Sequence, residues 1–113
     1  MAHVSKLASA RPNWFEGLLT EASEITRLAL EALRTEAWES LGTLLSQSHR
    51  LLQGVEVSTE ALDRLVDAAL EAGAYGAKLT GGGLGGAVIA ITPQQVDLEG
   101  AWLRAGATEV IKP

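Results

Sequence analysis

The stretch GAKLTGGGLGGAVIAIT, from Gly76 to Thr92, decides the fold. Its flanks, YGAKLT and AVIAIT, are short and bounded by glycine or proline, and the second is rich in β-branched residues, so both are predicted to be strands. Between them, five of the six residues from 81 to 86 are glycine. A hairpin turn needs only one or two residues of special conformation. The tract therefore holds more glycine than a connection requires.

Glycine in regular structure costs about 0.5–1 kcal/mol relative to alanine, so this composition needs an offsetting benefit. The usual benefit is a close approach of main chain to a ligand, with N–H groups forming an anion-binding concavity. A Walker loop is excluded because no Gly-Lys-Ser/Thr follows, and a dinucleotide fingerprint is excluded because a strand, not a helix, comes next. The residues alone leave two interpretations open, a phosphate-contacting loop or a loose connection.

Outside the hairpin, apolar residues recur at steps of three and four, which predicts helices. The predicted helices are one starting at Pro12 and Asn13, one from about Glu36 to Gly54, one from an N-cap at Ser58 to Gly73, and a short one from about Gln94 to Arg104. The segment TEVIK, residues 108–112, is predicted to be a last strand. The order ααα–β–loop–β–α–β predicts an α+β domain with helices packed on one face of a small antiparallel sheet.

Composition narrows the class of protein. A chain of 113 residues with 47% apolar content is predicted to form one domain, residues 1–113. Its net charge of −5 argues against a nucleic-acid partner, because phosphate neutralisation needs excess basic residues. The absence of cysteine excludes a disulfide framework and fits a reducing cytoplasm. No run of about 18 apolar residues occurs, so no membrane span is predicted.

The sequence GAKLTGGGLGGAVIAI resembles the third conserved motif of the GHMP kinases, the family named for galactokinase and the homoserine, mevalonate and phosphomevalonate kinases. Within that family, Lys78-Leu79-Thr80 is the form found in mevalonate kinases, and the similarity runs from MAHVSKLASARP to WLRAGATEVIK. Leu84 departs from the mevalonate pattern toward galactokinases, and Ser48 replaces the family's usual asparagine. A galactokinase, another GHMP kinase or a non-catalytic α+β binding module are the alternatives.

The resemblance implies that residues 1–113 form a ferredoxin-like C-terminal domain, whose N-terminal catalytic and ATP-binding domain lies outside these residues. The intact enzyme would use ATP and Mg²⁺ to phosphorylate mevalonate, in cytoplasmic isoprenoid-precursor synthesis, while the activity of the 113-residue chain itself stays open. The implied ATP- and phosphate-binding loop is Gly81, Gly82, Gly83, Gly85 and Gly86, with Thr80 in the substrate cleft and no catalytic residue or metal ligand. The expected partners are the N-terminal domain and a second copy in a homodimer.

Four other side chains are of types that often act as catalytic groups or ligands. Lys78 is predicted to be an outward lysine on a strand rather than a catalytic group. His49 is predicted to be a helix-surface or packing residue rather than a ligand. Asp63 and Asp67 share a helix face at a spacing of four, which is more typical of a solvated face than of a paired carboxylate site.

Overall fold

The structure is a computed structural model that describes residues 6, 9–80 and 86–111. Its elements are α1 Pro12–Arg34, α2 Trp38–Gly54, α3 Glu60–Ala72, β1 Gly76–Thr80, β2 Ala87–Ile91 and α4 Leu98–Arg104. Helix α1 begins with a proline, whose missing N–H is harmless in the first turn. None of the helices described here combines the length and apolar character that crossing a membrane demands.

The two strands pair antiparallel, with Gly76 opposite Ile91 at one end and Thr80 opposite Ala87 at the other. Helices α2 and α3 pack on this sheet, α1 packs on α2, and α4 packs on α3. A core cluster joins the α3–α4 contact to the sheet, and it consists of Val66, Ala69, Ala77 and Trp102. The predicted α+β class, with helices against a small antiparallel sheet, is confirmed.

Helix α2 and strand β1 approach each other at two glycines. A Cβ atom on Gly42 would overlap backbone atoms of Tyr75 and Gly76, and a Cβ on Gly76 would overlap the backbone of Gly42. Only residues without a side chain allow two main chains to come this close. The crossing therefore fixes α2 against the beginning of β1.

The C-terminal end of α3 is as predicted, and its N-cap is shifted by one residue. Gly73 ends the helix in the left-handed conformation, at φ 109°, as predicted. The N-cap is Thr59, whose Oγ1 accepts from the N–H of Leu62 at 3.2 Å, so the prediction of Ser58 is wrong by one residue. Ser58 instead donates its hydroxyl to Asp63 Oδ1 at 2.7 Å.

Two predictions for the C-terminal segment are wrong. Helix α4 starts at Leu98 rather than near Gln94, because the side chain of Asp97 caps it by accepting from the N–H of Gly100 at 3.0 Å. The predicted strand TEVIK is not formed over residues 108–111. A strand needs a hydrogen-bonded neighbour, and within the described part of the chain β2 pairs with β1 alone.

Candidate functional site

The hairpin of β1 and β2 brings both ends of the glycine tract together. Thr80 is the last residue of β1 and lies opposite Ala87, the first residue of β2. Thr80 and Gly86 are exposed at this end of the sheet. The other predicted loop residues, Gly81, Gly82, Gly83 and Gly85, lie outside the described residues. The tract thus connects adjacent antiparallel strands at one exposed end of the sheet.

Lys78 faces α2 rather than open solvent. Its side chain is half-buried, and Nζ donates to Ser48 Oγ at 3.0 Å. Burial lowers the pKa of the Lys78 ammonium group, because desolvation disfavours the charged form. The prediction of an outward strand lysine is therefore wrong.

His49 is the buried polar centre of this region. Only 2% of the residue is exposed, and its Nδ1 accepts from the N–H of Leu79 at 3.1 Å. Its Nε2 lies 3.0 Å from Asp63 Oδ1. Because Nδ1 must carry a free lone pair to accept from a backbone N–H, these contacts assign the ring proton to Nε2, which donates to Asp63. The structure thus excludes the surface position and places His49 in the interior.

Asp63 connects His49 to the start of α3. Burial disfavours ionisation of its carboxyl, but hydrogen bonds from Ser58, Gln53 and His49 outweigh burial and lower the pKa of Asp63. Asp63 is only partly exposed, so the predicted solvated face is wrong for this residue. Asp67, one turn later, is exposed as predicted.

Side chains of α2 also bind the edge of β1 that does not pair with β2. The N–H of Ala77 donates to Ser46 Oγ at 3.3 Å, and the N–H of Leu79 donates to His49. Side chains of α2 therefore accept hydrogen bonds from alternate N–H groups of β1. Carbonyl groups of a third strand would otherwise be their acceptors. The strand that leads into the glycine tract is consequently held on both edges.

A sequence signal for the burial of His49 exists. It lies four residues after Leu45 and three before Leu52, so it belongs to the apolar stripe of α2. A histidine on such a stripe is expected to be buried, and a buried imidazole needs partners for both nitrogens. Those partners, Leu79 and Asp63, are 30 and 14 residues away in sequence, and no local pattern identifies them.

Acid titration is expected to expose the contribution of Asp63. A carboxyl whose pKa is lowered by folding adds stability above its ordinary pKa, and this is lost as pH falls through the folded-state value. Urea unfolding should show the largest deficit of Asp63→Asn relative to wild type at pH 7, shrinking below about pH 5. The exposed Asp67→Asn is the matched control. A deficit for Asp63→Asn that is constant from pH 7 to pH 3 would contradict the assignment.

The described residues do not assemble a metal centre. Within residues 9–80 and 86–111, no group of three or more histidine, aspartate or glutamate side chains is placed to hold an ion. The predicted absence of metal ligands concerns the whole chain and stays a prediction.

Residues 29–108 match the family model described as GHMP kinases C terminal. The mevalonate kinase of Thermococcus gammatolerans is 36% identical over 117 aligned residues, which cover 98% of this chain and 35% of the relative. The galactokinase of Mycobacterium tuberculosis is 40% identical over 77 residues, which cover 67% of this chain and 21% of the relative.

Among solved structures, the crystal structure of L. major mevalonate kinase in complex with R-mevalonate is similar, with a TM-score of 0.82 and 31% sequence identity. The match covers 92% of this chain and 32% of that one. The chain therefore spans about a third of the length of the mevalonate kinases that it matches.

Proposed function

Because the chain belongs to the GHMP kinase C-terminal family, we propose that it is the C-terminal domain of an ATP-dependent mevalonate kinase. The observation that carries this proposal is the structural match to a mevalonate kinase over nearly the whole chain. The galactokinase match covers about two thirds of the chain, so galactokinase is the second candidate. The form Lys78-Leu79-Thr80 in the motif also favours the mevalonate kinases.

In this proposal the γ-phosphoryl group of ATP passes to the 5-hydroxyl of mevalonate. The bond between the γ-phosphorus and its bridging oxygen breaks, a new phosphorus–oxygen bond forms to the hydroxyl, whose proton passes to a base of the N-terminal domain, and ADP leaves. Such transfer depends mainly on positioning and on stabilising charge. The glycine tract would supply main-chain N–H groups near the phosphates, and the exposed hydroxyl of Thr80 would line the substrate cleft.

The proposed cofactors are ATP and Mg²⁺, and we assign this chain a role toward ATP alone. A glycine-rich connection at an exposed hairpin end is compatible with a main-chain cradle for phosphate. The donor set of the described residues does not fit Mg²⁺, which prefers clustered oxygen ligands. The role proposed for this chain therefore does not depend on its holding the metal.

A coupled ATP-consumption assay on the full-length protein tests the function. We expect turnover with mevalonate on the order of 10 per second, typical of enzymes, and little with galactose. The 113-residue chain alone is the control and should be inactive, because the resemblance assigns the catalytic residues to the other domain. Preference for galactose would select the second candidate. Turnover with neither substrate would favour a non-catalytic module.

We further propose that the N-terminal domain covers an apolar face that this chain leaves exposed. A cavity of about 410 Å³ separates β2 from residues 110–111, and it is lined in part by Val88, Trp102 and Val110. Ile89 and Ile111 also line this cavity, and they are 45% and 80% exposed. An unpaired strand edge beside apolar surface favours association.

The 113-residue chain on its own is therefore expected to form a homodimer. Sedimentation equilibrium at micromolar concentration should give twice the mass of 11.9 kDa. Ile89→Lys should shift the equilibrium toward monomer, because a charge on an edge strand opposes pairing. A wild-type chain that sediments as a monomer would contradict self-association through this face.

A further inference from the structure

We propose that His49 is a positioning residue for the glycine tract, anchoring the end of β1 through its Nδ1 atom. The proposal rests on the function proposed above, because it assigns the anchored segment a part in phosphoryl transfer. It concerns a buried side chain that bonds to Leu79, one residue before the exposed Thr80.

The anchor acts at the last buried residue before the tract. Leu79 is 3% exposed, and Thr80, the next residue, is already exposed at the end of β1. The bond from the Leu79 N–H to His49 Nδ1 lies in the interior, where a hydrogen bond is electrostatically stronger than in water. Ser46 holds Ala77 in the same way, two residues further from the tract. Of the hydrogen bonds described between α2 and β1, the one to His49 is thus nearest to the point where the chain leaves the sheet.

The orientation of the imidazole is fixed from its other side. Asp63 Oδ1 receives the Nε2 proton and also accepts from the hydroxyl of Ser58, at 3.0 and 2.7 Å. The chain of contacts Ser58–Asp63–His49–Leu79 therefore links the start of α3, the C-terminal half of α2 and the end of β1. Rotation of the ring would break both of its hydrogen bonds, so the acceptor that faces Leu79 has a single direction.

The composition of the tract explains why such an anchor matters. Five of the six residues from 81 to 86 are glycine and have no side chain that could form packing contacts, so we assign the positioning of the tract to the residues that enter and leave it. Misplacement by about 1 Å can cost a catalytic centre about 10²-fold in rate. A fixed Leu79 gives the tract a defined starting point beside the paired residues Thr80 and Ala87.

Two substitutions of His49 test the roles of its two ring nitrogens separately. His49→Asn retains an acceptor near the position of Nδ1 but lacks the donor to Asp63, whereas His49→Gln retains a donor near Nε2 but lacks the acceptor for Leu79. His49→Gln loses the buried bond from Leu79 and His49→Asn loses the partly buried bond to Asp63, so a lower urea midpoint is expected for both.

In the full-length protein, we expect His49→Gln to lower kcat about 10-fold to 10²-fold, while His49→Asn stays within about threefold of wild type. The KM for mevalonate should change little in either variant. A purely structural role would move both variants in parallel with their stability. Equal kcat values for the two variants would therefore overturn the proposal.

Amide hydrogen exchange in the same proteins tests the bond from Leu79 to His49 independently of the proposed kinase activity. Faster exchange at Leu79 in His49→Gln, but not in His49→Asn, is expected whichever substrate the enzyme takes. If mevalonate turnover is absent in wild type but this exchange pattern is present, the proposed function fails and the anchor stands. Unchanged exchange at Leu79 in His49→Gln would refute the anchor even in an active kinase.

Discussion

Replacing Gly83 by valine in the full-length protein is expected to lower kcat/KM for phosphoryl transfer by about 10²-fold, comparable to the loss of one hydrogen-bond donor to a transition state. Valine is β-branched, which restricts its backbone, and its side chain prevents close approach of the main chain to a ligand. Steady-state kinetics with ATP and mevalonate measure the effect. The variant should not hold the phosphate groups of ATP in the geometry that the wild-type protein provides.

The neighbouring Leu84→Ala is the matched control. Leucine already carries a side chain, so shortening it leaves the main chain free to approach the phosphates, and the expected loss is within about fivefold. Circular dichroism and urea unfolding confirm that both variants fold. Similar kinetics for Gly83→Val and Leu84→Ala, with folding intact, would mean that the tract is only a connection between strands.

Replacing Gly76 by alanine is expected to destabilise the fold by about 1–3 kcal/mol or more, the range found when atoms are forced into a packed interior. The added Cβ would overlap the backbone of Gly42, and backbone cannot swing aside as a flexible side chain does. Helix α2 would have to move away from β1, which would also stretch the bonds from β1 to Ser46 and His49. Urea unfolding of the wild type and the variant measures the difference.

Gly17→Ala is the control for this second prediction. Gly17 lies inside α1 and is exposed, and apart from the local helix backbone no atom of the described residues lies within 4 Å of the position that a Cβ would take. Alanine there should stabilise the protein by about 0.5–1 kcal/mol, because it favours the helix without a clash. A Gly76→Ala protein as stable as Gly17→Ala would contradict the close crossing of α2 and β1.

The elements that could be predicted from sequence are those specified locally. Gly73 ends α3 because a left-handed residue there suits glycine, and the two strands follow from short β-rich runs on either side of the tract. The segment TEVIK has equally favourable local chemistry. It is not a strand over residues 108–111, because pairing depends on a neighbour that no local pattern specifies.

The candidate site likewise has one part that the local sequence predicts and another that depends on distant residues. The exposed end of the hairpin, with Thr80 and Gly86, follows from the sequence alone. The hydrogen bonds that hold this end in place could not be predicted, because the contacts of His49 with Leu79 and Asp63 join three different elements. The sequence predicts that Asp63 shares a solvated face with Asp67, because periodicity indicates which residues share a face but not what packs against that face.

Amide hydrogen exchange over residues 81–86 of the full-length protein tests most directly whether the tract contacts phosphate. The protein is compared alone, with a non-hydrolysable ATP analogue and mevalonate, and with adenosine, which carries no phosphate. The proposed role requires that the analogue slows exchange in this segment and that adenosine, at saturating concentration, does not. An exchange rate in residues 81–86 that is unchanged while the analogue is demonstrably bound would contradict a phosphate-contacting tract.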